Sequence, residues 1–166
     1  MSVVHHDLTL PIDEGLLNIR IGAIIIRGHS FLMVGNNRDD YLYSVGGRVK
    51  FTESTEQAVI REVFEETGVQ MEIDRLGFIH ENFFFGDSPA SAGKLIHEFS
   101  FFYYMNTPED FEPVFDHLSD GGIDEYLIWI TLDEKKRFYP KFFREELLHP
   151  SKNIKHFITK EVHEGN

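Results

Sequence analysis

Three carboxylates on a single turn of helix constrain this chain more than any other feature of its sequence. In the segment from Gly47 to Val69, Glu62, Glu65 and Glu66 follow Arg61 directly. Ser54 and Gln57 have the spacing of a capping box, the residues between Thr55 and Thr67 include no Gly or Pro, and Gly68 sits where a helix-ending glycine belongs, so a helix over 55–67 is predicted. At ~100° per residue the three acids project within about a third of the helix circumference, spread over ~6 Å along its axis. Like charges at this spacing repel, and close to the helix C-terminus they also oppose its dipole, so local stability does not select them. A cation is the expected partner. Hard divalent cations take oxygen ligands and retain coordination positions for phosphate oxygens. Val59, Ile60 and Val63 lie on another side of the helix and are expected to pack on a sheet, leaving the acids beside the Gly46-Gly47 turn. Arg61, one turn before Glu65, is placed to hold a carboxylate through two parallel hydrogen bonds.

Taken whole, the segment resembles the Nudix box: G, five residues, E, seven residues, R-E, an aliphatic residue, any residue, E-E, any residue, G and an aliphatic residue. All nine specified positions match, and a chance match in a chain of this length is on the order of 10⁻⁷ or less. The resemblance implies an α/β (α+β) fold, a Nudix-like α/β/α sandwich with a mixed sheet and the catalytic helix after a Gly-Gly turn. It implies hydrolysis of a diphosphate linkage in a nucleoside diphosphate joined to another group, with Mg²⁺ as cofactor and Mn²⁺ as substitute. Carried over by position, Glu62 and Glu66 are the principal metal ligands, the Gly46 carbonyl a third, and Glu65 a further ligand through water or a second ion. Glu53 resembles the acid that orients or deprotonates the attacking water, with Arg61 as its electrostatic anchor. Because the family varies in its base, Asp120, Asp124 and Glu125 are the alternatives on a later loop. Gly47 and Gly68 are read as geometric. The family often has Pro before its glycine pair, where this chain has Val45.

Composition narrows the remaining classes. The chain has 166 residues, which predicts one domain over 1–166 with residues 1–15 as a flexible or edge segment. Its 16 basic and 28 acidic side chains give a net charge of −12, which disfavours bulk nucleic acid binding and leaves cations to bridge any phosphate-bearing substrate. There are no cysteines, so disulfides, thiolate nucleophiles and Cys-ligated zinc are excluded. No signal sequence and no apolar run of membrane-spanning length is present, so a cytoplasmic protein without membrane contact, monomeric or homodimeric, is expected. His5 and His6 read as a disordered tail rather than a metal pair.

Around the box, Ile19 to Ile26 and Phe31 to Val34 read as a hairpin, Tyr41 to Val45 as a strand, and Val49 to Phe51 as a short pairing segment. Leu76 to Phe85 and Leu95 to Met105 read as a long hairpin with a mobile tip from Gly86 to Gly93. Asn106 to Gly122 reads as an irregular connection, Tyr126 to Thr131 as a strand, Leu132 to Arg137 and Pro140 to His149 as helical, and Ile154 to Val162 as a last strand. The Phe-rich runs at 83–85, 101–102 and 142–143 are assigned to the core.

Substrate contacts are less determined. Tyr41 and Phe83, with Phe31 and Phe84, are candidates for stacking on a base, and Arg48 and Lys50, with Arg20 and Arg38, for meeting phosphates. The two long loops leave room for a nucleotide sugar or dinucleotide in preference to a nucleoside triphosphate. The alternatives that stay open are a nucleoside triphosphate pyrophosphohydrolase and a non-catalytic module that senses nucleotides. Neither His97-Glu98 as a pocket pair nor as a strand-edge pair is preferred.

Overall fold

Alternation along the strands divides the apolar residues between two cores. In the computed structural model, residues 5–114, 117–120 and 123–162 are described, with 117–120 and 123 described for the backbone alone. Strands β1 (Thr9–Ile12), β2 (Gly15–Ile24), β3 (Ile26–Arg27), β4 (Ser30–Asn36) and β5 (Tyr41–Arg48) precede helix α1 (Thr55–Thr67). Strands β6 (Glu72–Phe85), β7 (Leu95–Asn106), β8 (His117–Asp120), β9 (Ile123–Thr131) and β10 (Arg137–Tyr139) follow, then helix α2 (Phe143–Glu146) and strand β11 (Lys155–Lys160). The main strand order is β11-β6-β7-β2-β5-β4-β9-β8, with parallel pairing of β2 to β7, β6 to β11 and β5 to β10, and antiparallel pairing elsewhere. It is a mixed sheet.

Ile21, Ala23, Leu32, Val34, Tyr103 and Met105 pack with Val59 and Val63 of α1 in one core. Their strand neighbours Ile24, Phe31, Met33, Phe102 and Tyr104 point the other way and pack with Phe143 and Leu147 around α2. This is the α+β sandwich expected of the chain, with β5 at its middle. Among the described residues no helix is long and apolar enough to cross a membrane.

Helix α1 matches its predicted span because both ends are locally specified. Ser54 accepts from the Gln57 N–H while the Gln57 side chain accepts from the Ser54 N–H, and Gly68 closes the helix at φ 73°. Other expectations need correction. Leu132 to Arg137 is not helical: a turn leads into β10, whose residues pair with Tyr41 to Tyr43. The helix expected over Pro140 to His149 shrinks to α2, because the chain must turn back toward β11. Within the connection expected to be irregular, 117–120 pairs with β9. The Ile19 to Val34 hairpin reduces to Ile26↔Phe31 and Arg27↔Ser30, since most of β2 is taken by β5 and β7. Phe85 is exposed rather than core. His5 and His6 are held rather than part of a disordered tail: the Phe51 N–H donates to the His6 carbonyl (2.8 Å), the Leu8 N–H to the Val49 carbonyl (2.8 Å), and His5 Nδ1 lies 3.2 Å from Thr52 Oγ1. The first residues thereby brace the loop that carries Glu53.

Candidate active site

The Gly-Gly turn is the first determinant of the site. Gly46 has φ +150°, and a Cβ there would stand 2.2 Å from the Ile21 carbonyl oxygen. A Cβ on Gly47 would stand 2.5 Å from the Glu62 carboxylate. At Gly46 the neighbour is backbone, so only glycine lets β5 lie this close to β2; at Gly47 a side chain would have to displace the Glu62 carboxylate.

Arg61 organises the acids. Its Nε donates to Glu53 Oε1 (2.7 Å) and its Nη2 to Glu53 Oε2 (3.0 Å), while Nη1 donates to Glu62 Oε1 (2.7 Å) and Glu65 Oε2 (3.1 Å). The Lys50 N–H also donates to Glu53 Oε2 (3.0 Å). These bonds, chiefly those from Arg61, hold the Glu53 carboxyl below the usual carboxylate range. Glu53 is thus a fixed anion with both oxygens engaged. Glu62 behaves in the opposite way: burial raises its pKa despite the guanidinium.

Glu66 is the most perturbed. Burial raises its carboxyl well above the ordinary value, and the charges of Glu62 and Glu125 add to this. The Gly46 backbone acts in the other direction and lowers it. Glu66 Oε2 is buried with no hydrogen-bond partner. A buried acceptor of this kind, ringed by like charges, lacks a cationic partner. The carboxylate oxygens of Glu62 and Glu66, with the charge of Glu125 nearby, therefore fit a hard divalent cation. Among the described residues no three acidic or histidine side chains are gathered closely enough to hold a metal as they stand, since Arg61 draws Glu62 and Glu65 into ion pairs and leaves Glu65 half exposed.

Glu66 and Gly46 open into a cleft of about 700 Å³. On one side of them lie Asn36, Arg38, Tyr41, Tyr43 and Glu125, from β4, β5, β9 and the β4–β5 loop; on the other lie Arg20, His80, Asn82, Glu98 and Ser100, from β2, β6 and β7. The Tyr43 hydroxyl donates to Glu125 Oε1 (2.7 Å); burial and this bond raise the tyrosine pKa. Tyr41 is raised to about 12, first by burial and then by Asp87, which brings the β6–β7 hairpin tip to this rim.

The expected substrate contacts separate accordingly. Tyr41, Phe84, Arg20 and Arg38 line the cleft, but Arg48, Lys50 and Phe83 do not. Arg48 faces Asp7 (3.8 Å), Phe31 is core, and Phe83 stacks on His97 (4.1 Å) on the far side of the sheet, because successive strand residues alternate. Of the later carboxylates whose side chains are described, Asp124 and Glu125, only Glu125 reaches the cleft, and it stands on strand β9 rather than on a loop. Asp124 is exposed and bonded to Asn37, and the Asp120 side chain lies outside the described residues. Residues 106–114 touch the end of α1 through the Val114 N–H and the Thr67 carbonyl (2.7 Å) but do not line the cleft. Of the His97-Glu98 pair, Glu98 lines the cleft while His97 stacks on Phe83 on the other face; Tyr43 and the neighbours of Glu98 on β2 and β6 have no signal in the sequence.

An acid-bearing helix packed under a glycine turn, with Glu66 and Gly46 lining a cleft in a mixed sheet, defines a class of α+β sandwich protein. The NUDIX domain family model matches residues 16–149, and the chain belongs to that family. A MutT-like protein of Streptomyces ambofaciens is 29% identical over 68 residues, 40% of this chain and 44% of that protein; the match thus spans less than half of that relative. The crystal structure of a MutT NUDIX hydrolase from Burkholderia pseudomallei superposes with a TM-score of 0.53 at 26% identity, covering 71% of this chain and 85% of that one. A MutT protein from Bacillus halodurans gives a TM-score of 0.62 at 21% identity over 87% and 91% of the two chains, a likeness of fold.

Proposed function

We propose that the protein is a cytoplasmic Nudix hydrolase that uses Mg²⁺, or Mn²⁺ in its place, to cleave the diphosphate of a nucleoside diphosphate linked to a second group, preferring a nucleotide sugar or dinucleotide to a nucleoside triphosphate. The observation that carries this reading is the position of the buried, unpartnered Glu66 Oε2 midway along a two-sided cleft. A diphosphate over Glu66 leaves one arm for the nucleoside and the other for its partner group, whereas a triphosphate engages one arm only.

In this reading Glu62 and Glu66 hold the cation, with Gly46 beside them and Glu65 at the solvent edge. The bound cation supplies charge neutralisation and lowers the pKa of water. Arg61 and Glu53 position the acidic turn. Glu53, held ionised by two guanidinium bonds, is a weak base, so Glu125, fixed by the Tyr43 hydroxyl, is the better acceptor for the proton of the attacking water. Water attacks one phosphorus, the bridging P–O bond breaks, and two phosphate monoesters leave.

The test is a panel of nucleotide sugars, dinucleoside polyphosphates and nucleoside triphosphates at one Mg²⁺ concentration. A kcat/KM at least tenfold higher for the first two groups is expected. A tenfold preference for a triphosphate would overturn the substrate choice, and no hydrolysis of any of them would overturn the reading itself.

A further inference from the structure

The sheet face under the Arg20 arm of the cleft is polar where a structural face should be apolar. In register across β2, β7, β6 and β11, Asn18, Glu98, Asn82 and Thr159 are neighbours. In the next row of the same face, Arg20, Ser100 and His80 are neighbours. Farther along, Ile24, Tyr104 and Phe78 resume the apolar core. Asn18, Ser100 and His80 are each buried, and burying polar groups costs stability unless each finds a partner.

Several do not. Asn18 Nδ2 donates to Glu98 Oε2 at 3.4 Å, which leaves Asn18 Oδ1 as an acceptor, and that atom is buried without a donor. Asn82 Oδ1 is likewise buried and unpartnered. The Glu98 carboxylate lies between them, with only a 3.3 Å bond from Ser100 Oγ, the 3.4 Å bond from Asn18 and Arg20 Nε at 4.0 Å. All are at or beyond the long end of hydrogen-bond distances, and an ionised carboxylate has about four acceptor positions. Asn18 lies behind the cleft wall and orients Glu98, while the Asn82 amide oxygen and the Glu98 carboxylate line the cleft side by side and short of donors; together they describe a site for a group that brings donors.

Arg20 fixes what that group is attached to. Its charge acts on Glu62 and Glu66 as well as on Glu98, so it stands between the acidic turn and the polar row. A phosphate meeting Arg20 delivers its substituent onto Glu98. Phosphate itself is repelled by the row, and a metal cation is disfavoured by Arg20. With Phe142 and Phe157 stacked on one another (4.3 Å, 5°), a second nucleobase would have Phe84 to stack on at this end of the cleft, whereas the acceptors of the row call for several donors side by side, which adjacent hydroxyls supply.

We propose that Glu98, with Asn82 beside it in the cleft, determines specificity by accepting hydrogen bonds from adjacent hydroxyls of a sugar, so that the group joined to the nucleoside diphosphate is a hexose or pentose. This rests on the hydrolase reading above. It assigns to Glu98 a role in substrate choice rather than in the chemical step.

The test compares a nucleoside diphosphate hexose with its deoxy-hexose analogues, on the wild-type enzyme and on Glu98→Gln. Wild type should favour the fully hydroxylated substrate by at least thirtyfold in kcat/KM, because a site built to bond hydroxyls is left with unpaired acceptors by an analogue lacking them. Glu98→Gln should reduce that ratio to below fivefold, mainly through KM, with a thermal melt confirming the fold. Turnover of hexose and deoxy-hexose at equal efficiency by wild type would overturn the assignment while leaving the hydrolase reading standing; absence of any turnover would overturn both. A ratio that follows the base, when one hexose is carried on uridine and on guanosine diphosphates, would show that Glu98 reads a guanine edge and would also overturn it.

Discussion

Arg61 and Glu53 face each other as two planar groups, Nε to Oε1 at 2.7 Å and Nη2 to Oε2 at 3.0 Å, with the Lys50 N–H completing the carboxylate. The same guanidinium reaches Glu62 and Glu65, so one side chain sets the spacing between the loop before α1 and the acids on it. A lysine has no planar fork and cannot make these bonds together. Arg61→Lys is therefore expected to lower kcat about 10- to 100-fold, in the range seen for residues that orient metal ligands. Steady-state kinetics beside a Mg²⁺ titration will decide: kinetics matching wild type would mean that the pair serves stability alone.

Glu62→Gln and Glu66→Gln keep side-chain shape while removing charge. Each should lose more than about 10²-fold in kcat if several kcal/mol of transition-state stabilisation pass through the cation they hold. An unchanged rate and metal titration would remove them from the site.

Glu66 also gives metal binding a pH signature. Its folded pKa is raised above the ordinary 4.5 by burial, so the protonated form is favoured in the folded state. As pH rises from 4.5 through the raised value, the metal-free fold loses the corresponding stability. Mg²⁺ should offset that loss, and its thermal stabilisation should grow from pH 5.5 to 8 and largely vanish in Glu66→Gln. A Mg²⁺-induced melting shift independent of pH would contradict this.

His80 titrates in the other direction. Burial lowers its pKa from 6.5 to about 4, and its Nε2 lies 2.9 Å from Thr159 Oγ1. The neutral ring is favoured in the fold, so its contribution is complete above pH 6.5 and is lost as pH falls toward 4. The expected loss is about 3 kcal/mol. Denaturant unfolding of wild type and His80→Gln across that window should show a shallower slope for the variant, and parallel slopes would rule out His80 as the source.

Thr52, the residue before Glu53, has φ +73°. A β-branched residue is strained in this left-handed region. Thr52→Gly should raise stability by about 1 kcal/mol, or roughly 2–4 °C in Tm, even though the 3.2 Å contact with His5 is lost. A fall in Tm would show that the His5 brace outweighs the strain.

What was legible in the sequence follows the range of the forces involved. Helix α1 and its acids could be read residue by residue because the caps, Arg61 and the glycines act within one or two turns. The pairing of Phe138 with Leu42 could not, because the segment before it has a helical composition and its partner is distant in the chain. Phe83 and Phe84 look equivalent as letters, yet register sends one to His97 and the other to the cleft. The Tyr43–Glu125 bond and the row of Asn18, Glu98 and Asn82 leave no local pattern, since each member sits alone on its own strand.

The central placement of β5 has a consequence for how such a protein changes over evolutionary time. On the proposed reading, the reacting bond would lie over this seam, and the two ends of the substrate would rest on the different groups of strands that line the cleft, β4 and β9 to one side, β2, β7 and β6 to the other. A substitution that retunes one end leaves the other end and the seam in place. Nucleoside choice and partner choice can then drift separately, as two dials on a fixed reaction.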